Sequence, residues 1–265
     1  MSRPLPLTIR TITTIKSRMH ERMPKKPATS LARHHEEREE SFFEEGVKLT
    51  ETLHSWIHAH KQTTKVGEME YLFGEVYDQY LDPFEFYEYN PSAQSPIYKY
   101  KTCPKARKAE FWLVSNVERP IVIFDKADSA DDFGMRVVSN ALFGNPRGLE
   151  RARLDLGRIR EDAKARKISD QLIQMYRDKR GNIHSGRFFD LRLWKDPSVE
   201  RASVAPGDVI GVDLYIEDDV IRVLTNCSGT IIIYRDWDHP DMWNNVFGVV
   251  KIFFRYIQER NAAYR

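Results

Sequence analysis

Three histidines in one short segment are the strongest candidates for metal binding. His54, His58 and His60 alternate with Trp56 in a stretch, 49–60, whose pattern predicts a β-strand. A strand of that length places all four side chains on one face, and neutral imidazole is a good ligand for zinc or copper. Because no carboxylate follows at ligand spacing, we expect a packed or surface row of histidines and no metal site.

Four aspartates could in principle hold a hard cation. Oxygen ligands suit Ca²⁺, but the spacing of Asp125, Asp128, Asp131 and Asp132 is not that of an EF-hand loop, and no glycine stands at the sharp turn. We interpret this segment as a solvated acidic loop.

Catalytic motifs are missing from the sequence. Cys103 lies in a basic stretch, 99–108, where cations could lower the pKa of a thiol, but the sequence pairs no His or Asp with it. There is no G-x-S-x-G, P-loop, G-x-G-x-x-G or H-E-x-x-H pattern, and the glycine-rich segment 144–148 is interpreted as a surface turn. We therefore predict no catalytic residues, no enzyme activity and no required cofactor, and we assign no cofactor-binding residues.

Tyrosine is unevenly distributed along the chain. Seven of the 12 tyrosines fall within residues 71–100. Tyrosine gives a large amphipathic contact at low entropic cost, so this clustering indicates an interface, with a tyrosine-lined edge of the core as the equally weighted alternative. The seven are Tyr71, Tyr77, Tyr80, Tyr87, Tyr89, Tyr98 and Tyr100.

Composition limits the class of protein. The 265 residues are 41% hydrophobic with a formal net charge of +2, which disfavours disorder and a whole-chain attraction for nucleic acid or anionic membranes. Two cysteines argue against a disulfide-rich secreted scaffold or a four-cysteine zinc site. Neither an apolar run near 18 residues nor a signal-peptide pattern is present, so we expect a cytosolic globular protein.

The elements that would position these residues are mostly strands. An apolar spacing of three to four residues predicts a helix over about 8–22, which its Thr and Ile content makes dependent on a partner surface. Residues 31–46 are interpreted as a solvated helix face or loop and 126–148 as a loop. Further helices are predicted over 68–81, 149–173 and 240–260, and strands over 110–115, 121–124, 188–194, 208–216, 220–225 and 230–235, with a hairpin turn at 226–229.

This pattern predicts an α+β fold. We expect an antiparallel β-sandwich with flanking helices, including a C-terminal one. Residues 1–27 would form an N-terminal helix or arm, and 28–265 a single sandwich domain with helical insertions.

Several short segments of the chain follow one another in a characteristic order. They are Trp56-Ile57-His58-Ala59, Lys65-Val66-Gly67, Glu88-Tyr89-Asn90, the 105–115 strand, Tyr176-Arg177-Asp178-Lys179-Arg180-Gly181, Phe188-Phe189, and Asn245, Phe247, Phe254, Arg255 and Tyr256 near the C-terminus. In their order and approximate spacing these segments resemble the cypovirus polyhedrins, the matrix proteins of viral occlusion bodies. The resemblance covers roughly 45–124 and 175–260, whereas 28–46 and 125–173 depart from the family pattern.

The resemblance implies a compact β-sandwich with a projecting N-terminal helix, so that residues 1–27 would make lattice contacts. It also implies a structural role. Such proteins form trimers that pack into crystals in the cytoplasm of the infected host cell, embed and protect virus particles, and dissolve in the alkaline insect midgut. It also implies nucleotides, ATP or GTP, bound within the lattice, but it assigns them to no residue of this chain. The implied partners are other copies of the chain and virus particles, with no membrane and no specific nucleic acid.

Charge arithmetic suggests how such a lattice would dissolve. Once Lys is neutral and Tyr ionised, 25 Arg face 39 carboxylates and 12 tyrosinates, a formal net charge of about −26. We expect the seven tyrosines to lie at lattice contacts and to act as the alkaline trigger. Two alternatives stay open: an RNA-associated viral or organellar structural protein using 99–108 and the arginine-rich 147–166, and a metal-dependent enzyme using the histidine row.

Overall fold

The computed structural model describes residues 7–92, 94–125, 133–164, 169–175, 209–216, 219–234 and 242–258. The strands are β1 (Leu7–Ile15), β2 (His35–Glu44), β3 (Val47–Val66), β4 (Met69–Asn90), β5 (Ser95–Val114), β6 (Ile121–Phe124), β7 (Leu149–Arg151), β8 (Ser169–Met175), β9 (Val209–Ile216), β10 (Asp219–Asn226) and β11 (Thr230–Tyr234). The helices are a 3-10 helix (Ser17–Arg22), α1 (Pro27–Ala32), α2 (Gly134–Phe143), α3 (Leu156–Lys164) and α4 (Met242–Phe254).

The described strands form one continuous, open sheet. Its order is β2-β3-β4-β5-β6-β1-β11-β10-β9-β8, and β7 pairs with β1 beside this path. The pairings between these strands are antiparallel. The predicted class, a β-rich α+β fold with antiparallel strands, is confirmed at this level.

The predicted N-terminal helix over 8–22 is wrong for most of its length. Residues Leu7–Ile15 form β1, which lies inside the sheet between β6 and β11, and the helical part is limited to the 3-10 turn Ser17–Arg22. β-branched Ile and Thr favour strands, and pairing along both edges of β1 outweighs a helix-like spacing of isoleucines. This segment therefore does not project from the sheet as a helix.

Three other segments differ from the sequence prediction. The helix predicted over 68–81 is the first half of β4, whose edges are hydrogen-bonded to β3 and β5. The charged segment 31–46 contains the end of α1 and all of β2, and the loop predicted over 126–148 contains α2. The helix predicted over 149–173 is divided into β7, α3 and β8. In each case sheet pairing or a buried helix face, which single-sequence periodicity does not report, decides the local structure.

The remaining described predictions are confirmed in type. They are the strands 49–60, 110–115, 121–124, 208–216, 220–225 and 230–235, the hairpin turn 226–229 and the C-terminal helix. The predicted strand 188–194 and Asp128, Asp131 and Asp132 lie outside the described residues.

The central strands are buried on both faces. Along β5, Trp112 and Val114 belong to a core shared with α3, α4 and the β9–β11 strands, whereas Phe111 and Leu113 belong to a second core with α1 and α2. Successive side chains of a strand point to opposite faces of the sheet, so the two cores lie on opposite faces of β5. Gly74 lies directly across from Phe111, and a Cβ at Gly74 would come within 2.5 Å of the Phe111 ring, so the aromatic ring packs over the glycine.

Two long hairpins extend from this core. β2 and β3 are joined by Glu45 and Gly46, whose φ angles of 50° and 80° are those of a tight two-residue hairpin turn. β4 and β5, of 22 and 20 residues, form the second hairpin. Helices in the described part of the chain are all too short or too polar to cross a lipid bilayer.

Candidate interaction surface

The outer half of the β4–β5 hairpin is a two-stranded ribbon. Nearer the core, β4 also pairs with β3, and β5 with β6. Residues 84–90 and 95–101, which we call the distal ribbon, pair with each other in a continuous register that ends at Asn90 and Ser95. Two-stranded ribbons are marginal on their own in water, so side-chain contacts or a partner must support this one.

One face of the distal ribbon is made largely of tyrosine. Tyr87 lies opposite Tyr98, Tyr100 lies opposite Glu85, and Tyr89 lies opposite Pro96. Because side chains alternate along a strand, these residues share one face. The four tyrosines, which we call the tyrosine face, have exposed fractions of 72% (Tyr87), 65% (Tyr89), 41% (Tyr98) and 57% (Tyr100).

The rings of the tyrosine face contact one another. The Tyr87 and Tyr98 ring centroids are 5.3 Å apart, and those of Tyr98 and Tyr100 are 4.9 Å apart, both in edge-to-face arrangements. Such pairs are favourable beyond the area they bury. The tyrosine face is therefore a preformed aromatic surface in contact with solvent.

The opposite face of the ribbon combines aromatic and charged groups. Phe84 and Phe86 lie with ring centroids 5.7 Å apart, and Lys99 Nζ is 2.5 Å from the Glu88 carboxylate. Lys99 is also 4.0 Å from Glu45 at the tip of the β2–β3 hairpin. The hydrogen bond to Glu88 raises the pKa of Lys99 above its ordinary value. Lys99 thus connects the tips of the two hairpins.

The tip of the β2–β3 hairpin adds further exposed apolar groups. Phe43, Val47 and Leu49 are 73%, 59% and 38% exposed. A groove of about 400 Å³ runs between this tip and β5, lined by residues that include Phe43, Tyr98 and Tyr100. Of the ten large hydrophobic residues that are exposed in the described part of the chain, nine lie on these two hairpins. Clustered exposure of this kind marks an interaction site.

A buried charge cluster joins the bases of the two hairpins. Asp78 of β4 is fully buried and accepts hydrogen bonds from Arg38 of β2 (2.7 Å), from Nε and a terminal nitrogen of Arg107 of β5 (3.1 and 2.9 Å), and from Arg136 of α2 (2.8 Å). The Ser55 hydroxyl of β3 also donates to it, at 2.6 Å. Burial alone would raise the pKa of Asp78, but hydrogen bonds from Ser55, Arg107 and Arg38 lower it below its ordinary value.

The Asp78 cluster ties together the strands from which the distal ribbon extends. One carboxylate receives donors from three other strands and a helix, so the four strands and α2 are fixed relative to one another. Sequence reasoning missed this cluster, because its members are separated by up to 98 positions along the chain and no local motif links them.

The remaining three tyrosines of the predicted set are not on the tyrosine face. Tyr71 is buried in the core with its ring stacked on Phe247 at 3.8 Å, which removes it from any contact with another molecule. Tyr77 is half-buried and stacks on Trp56 at 5.1 Å, and Tyr80 is half-buried beside Arg107.

Environment changes the acidity of several tyrosines. Burial raises the pKa of Tyr71 to about 12. A hydrogen bond to Glu85, together with the neighbouring Tyr100, raises the pKa of Tyr98, and burial followed by a hydrogen bond to Glu75 raises that of Tyr77. These phenols ionise only at strongly alkaline pH.

The predicted histidine row is only partly brought together. His54, His58 and His60 lie on β3 as expected, and the rings of His58 and His60 are 5.5 Å apart. His54 instead stacks on His35 of β2, at 5.3 Å, with Glu37 beside it. Sequence reasoning missed both partners, because only the register of the β2–β3 hairpin places them next to His54.

Among the residues that the structure describes, the other candidates are not brought together into a site. Cys103 lies across from Asp82 in β5 as a free thiol, and segment 144–148 includes the left-handed Gly144 that ends α2. The backbone oxygen of Asp125 accepts a hydrogen bond from Arg10.

The basic stretch 99–108 is largely neutralised, since most of its cations pair with carboxylates of β4. The pairs are Lys99 with Glu88, Lys105 with Asp82, Arg107 with Asp78 and Lys108 with Glu75. This pairing gives the RNA-binding alternative no support.

The sequence was also compared with known proteins. No protein-family model matches the chain, and no curated protein matches it significantly.

Proposed function

We propose that this chain is a self-assembling structural protein of a viral occlusion body, as its resemblance to the cypovirus polyhedrins implies. The observation that carries the proposal is the tyrosine face, four exposed rings on a ribbon held in place from its base. Aromatic residues are enriched at protein interfaces and dominate their binding energy. In a dense assembly the partner of this surface is another copy of the same chain.

The charge of the chain supports self-association. A formal net charge of +2 leaves little long-range repulsion between identical copies. The β4–β5 hairpin itself carries both signs in short-range pairs, such as Lys99 with Glu88 and Lys105 with Asp82. Copies can therefore approach closely at neutral pH without placing one uncompensated charge against another.

The finer architecture is part of the same proposal. We propose a sandwich-like subunit, in which the β3 side and the β9 side of the sheet pack around α4. Trimers of that subunit would stack into crystals in the host-cell cytoplasm around virus particles. α4 approaches both sides of the sheet: Gly248 lies against Ile216 of β9, and Lys251 Nζ would be 3.3 Å from a Cβ on Gly67, beyond the end of β3. The assembly needs no enzyme activity and no cofactor; the lattice nucleotides that the resemblance implies have no assigned residues.

Alkaline pH provides the release step. Hydrogen bonds to carboxylates raise the pKa of Lys99, Lys105 and Lys108, so these ion pairs are complete below the ordinary lysine pKa and are lost as the pH rises through the raised values. Ionisation of tyrosine hydroxyls in strong alkali adds further negative charge to the chain. A near-neutral lattice becomes one of mutually repelling anions.

Expression of this chain alone in insect cells tests the proposal. We expect micron-sized intracellular crystals that persist at neutral pH and dissolve in strong alkali. The double variant Tyr87→Ser/Tyr89→Ser should abolish the crystals while leaving a folded, soluble protein, because both side chains project from the distal ribbon into solvent.

A matched control separates this effect from a general loss of surface hydrophobicity. Val220 is 53% exposed on β10, away from both hairpins, and Val220→Ser should still crystallise. Soluble, dispersed wild-type protein at high expression, or crystals of the double variant indistinguishable from wild type, would overturn the proposal.

A further inference from the structure

A three-ligand cluster lies on the β2–β3 hairpin, apart from the tyrosine face. The hairpin register places Glu37 directly opposite His54, and His35 two residues before Glu37 on the same face of β2. Each of His35, Glu37 and His54 offers one ligand atom, and these three atoms lie within 4.8 Å of one another. Two imidazoles and a carboxylate are the ligand types of many zinc sites that keep a position open.

The contact between His54 and Glu37 fits two ligands of a common ion better than a hydrogen bond. His54 Nδ1 is 3.6 Å from Glu37 Oε1, which exceeds hydrogen-bonding distance, and this buried nitrogen has no hydrogen-bond partner. Two donors that each bind zinc at about 2.0–2.2 Å in tetrahedral geometry are separated by roughly 3.3–3.5 Å. A small approach of the two side chains would satisfy the orphaned nitrogen through a metal ion.

The backbone around the cluster is well fixed while its outer side is open. The His54 backbone N–H donates to the Gln79 side-chain oxygen at 2.9 Å, which ties this point of β3 to β4. The Glu37 side chain is 60% exposed and that of His54 36% exposed. A bound ion would therefore reach solvent, where water or a donor from another molecule could complete its coordination.

We propose that His35, Glu37 and His54 form a binding site for Zn²⁺ or a similar divalent transition-metal ion, with one coordination position open. The proposal does not depend on self-assembly, since all three ligands belong to one hairpin of one chain. The histidines selected by sequence, His58 and His60, are not part of it.

Calorimetric titration of the untagged full-length protein with ZnCl₂ tests the site. We expect one ion per chain in the wild type. His54→Ala and Glu37→Gln should each weaken binding by at least about tenfold, the lower end of the cost of losing even an outer-sphere partner at a metal site. His60→Gln, on the same strand with its ring against Phe73, is the matched control and should bind like wild type.

Two further measurements keep the result interpretable. Glu37→Gln changes an exposed side chain, and an unfolding curve without metal should match wild type, so lost binding would not reflect lost folding. Co²⁺ in place of Zn²⁺ should give visible absorption bands of a low-coordinate site in wild type and His60→Gln only. The proposal would be overturned if the wild type does not bind zinc. It would also be overturned if His54→Ala and Glu37→Gln bind zinc as tightly as the wild type does.

Discussion

Tyr87 lies directly across the β4–β5 hairpin from Tyr98, with the two ring centroids 5.3 Å apart and both rings exposed to solvent. Cross-strand aromatic pairs stabilise a hairpin, but they do so most when a neighbouring element covers them. Here the pair lies at the centre of an uncovered face. We interpret the pair as an assembly contact that another copy of the chain covers.

Removing the phenols of the tyrosine face should make assembled material more resistant to alkali. The variant in which Tyr87, Tyr89, Tyr98 and Tyr100 become Phe keeps the rings but cannot place tyrosinate charge at the contact. We expect crystals or aggregates to dissolve at a higher pH than wild type, measured by turbidity during a pH ramp. Tyr234→Phe, on β11, should not shift the transition, and an unshifted transition in the quadruple variant would refute the trigger.

Removing a ribbon cation should have the opposite effect. Lys99 faces both Glu88 and Glu45, so Lys99→Gln leaves two carboxylates without their cation before any tyrosine ionises. The same pH ramp should show dissolution at a lower pH. Lys65→Gln removes one exposed positive charge away from the ribbon and serves as the charge-matched control. Equal shifts in the two variants would mean that only net charge matters.

The tyrosine clustering could be recognised from the sequence, but its geometry could not. The four tyrosines share one face because side chains alternate along 84–90 and 95–101 and because the hairpin register aligns the two strands. The sequence does not specify that register. The same limit explains β1: Ile12 and Ile15 fit a helical spacing, yet pairing with three distant strands makes the segment a strand. In contrast, the 226–229 turn and α4 were predicted correctly, because local turn residues and an amphipathic stripe specify them.

The Asp78 cluster could not be predicted from the sequence for a related reason. Asp78 is a single acidic residue in an alternating strand, and its arginine partners come from β2, β5 and α2. Only tertiary structure brings them together, so neither the stabilising role of Asp78 nor the orientation of the ribbon could be predicted from residue types.

Asp78→Asn should strongly destabilise the fold. The substitution leaves three arginines around a neutral amide. Removing one partner of a buried ion pair lowers the free energy of unfolding by about 3–5 kcal/mol. The free energy of unfolding from urea denaturation at pH 7 measures this loss. Asp82→Asn, which removes a carboxylate paired with the exposed Lys105, should change stability far less. A loss in Asp78→Asn no larger than in Asp82→Asn would contradict the role assigned to the cluster.

The same cluster predicts acid sensitivity. Because the pKa of Asp78 is lowered in the folded protein, its contribution is present above the unfolded-state pKa and is lost as the pH falls through the lowered value. Wild type should lose stability in that acidic range. Asp78→Asn should show a flatter pH dependence there, and identical slopes would argue against the assignment.

Tyr71 should contribute to the stability of the fold at alkaline pH and not to assembly. Its folded pKa of about 12 exceeds the unfolded value of about 10, so a contribution of roughly 2–3 kcal/mol is present below pH 10 and is lost as the pH rises toward 12. Urea denaturation of Tyr71→Phe at pH 9 and near pH 12 should show a smaller drop in stability than wild type. Tyr87→Phe, on an exposed ring, should behave like wild type; a drop in Tyr71→Phe equal to that of wild type would contradict the prediction.

The most direct test of self-assembly through the tyrosine face is sedimentation of purified full-length protein as a function of concentration and pH. We expect oligomers that grow with concentration near neutral pH, dissociate to monomers in strong alkali, and fail to form in Tyr87→Ser/Tyr89→Ser but persist in Val220→Ser. A wild-type chain that remains monomeric at high concentration near neutral pH would contradict it.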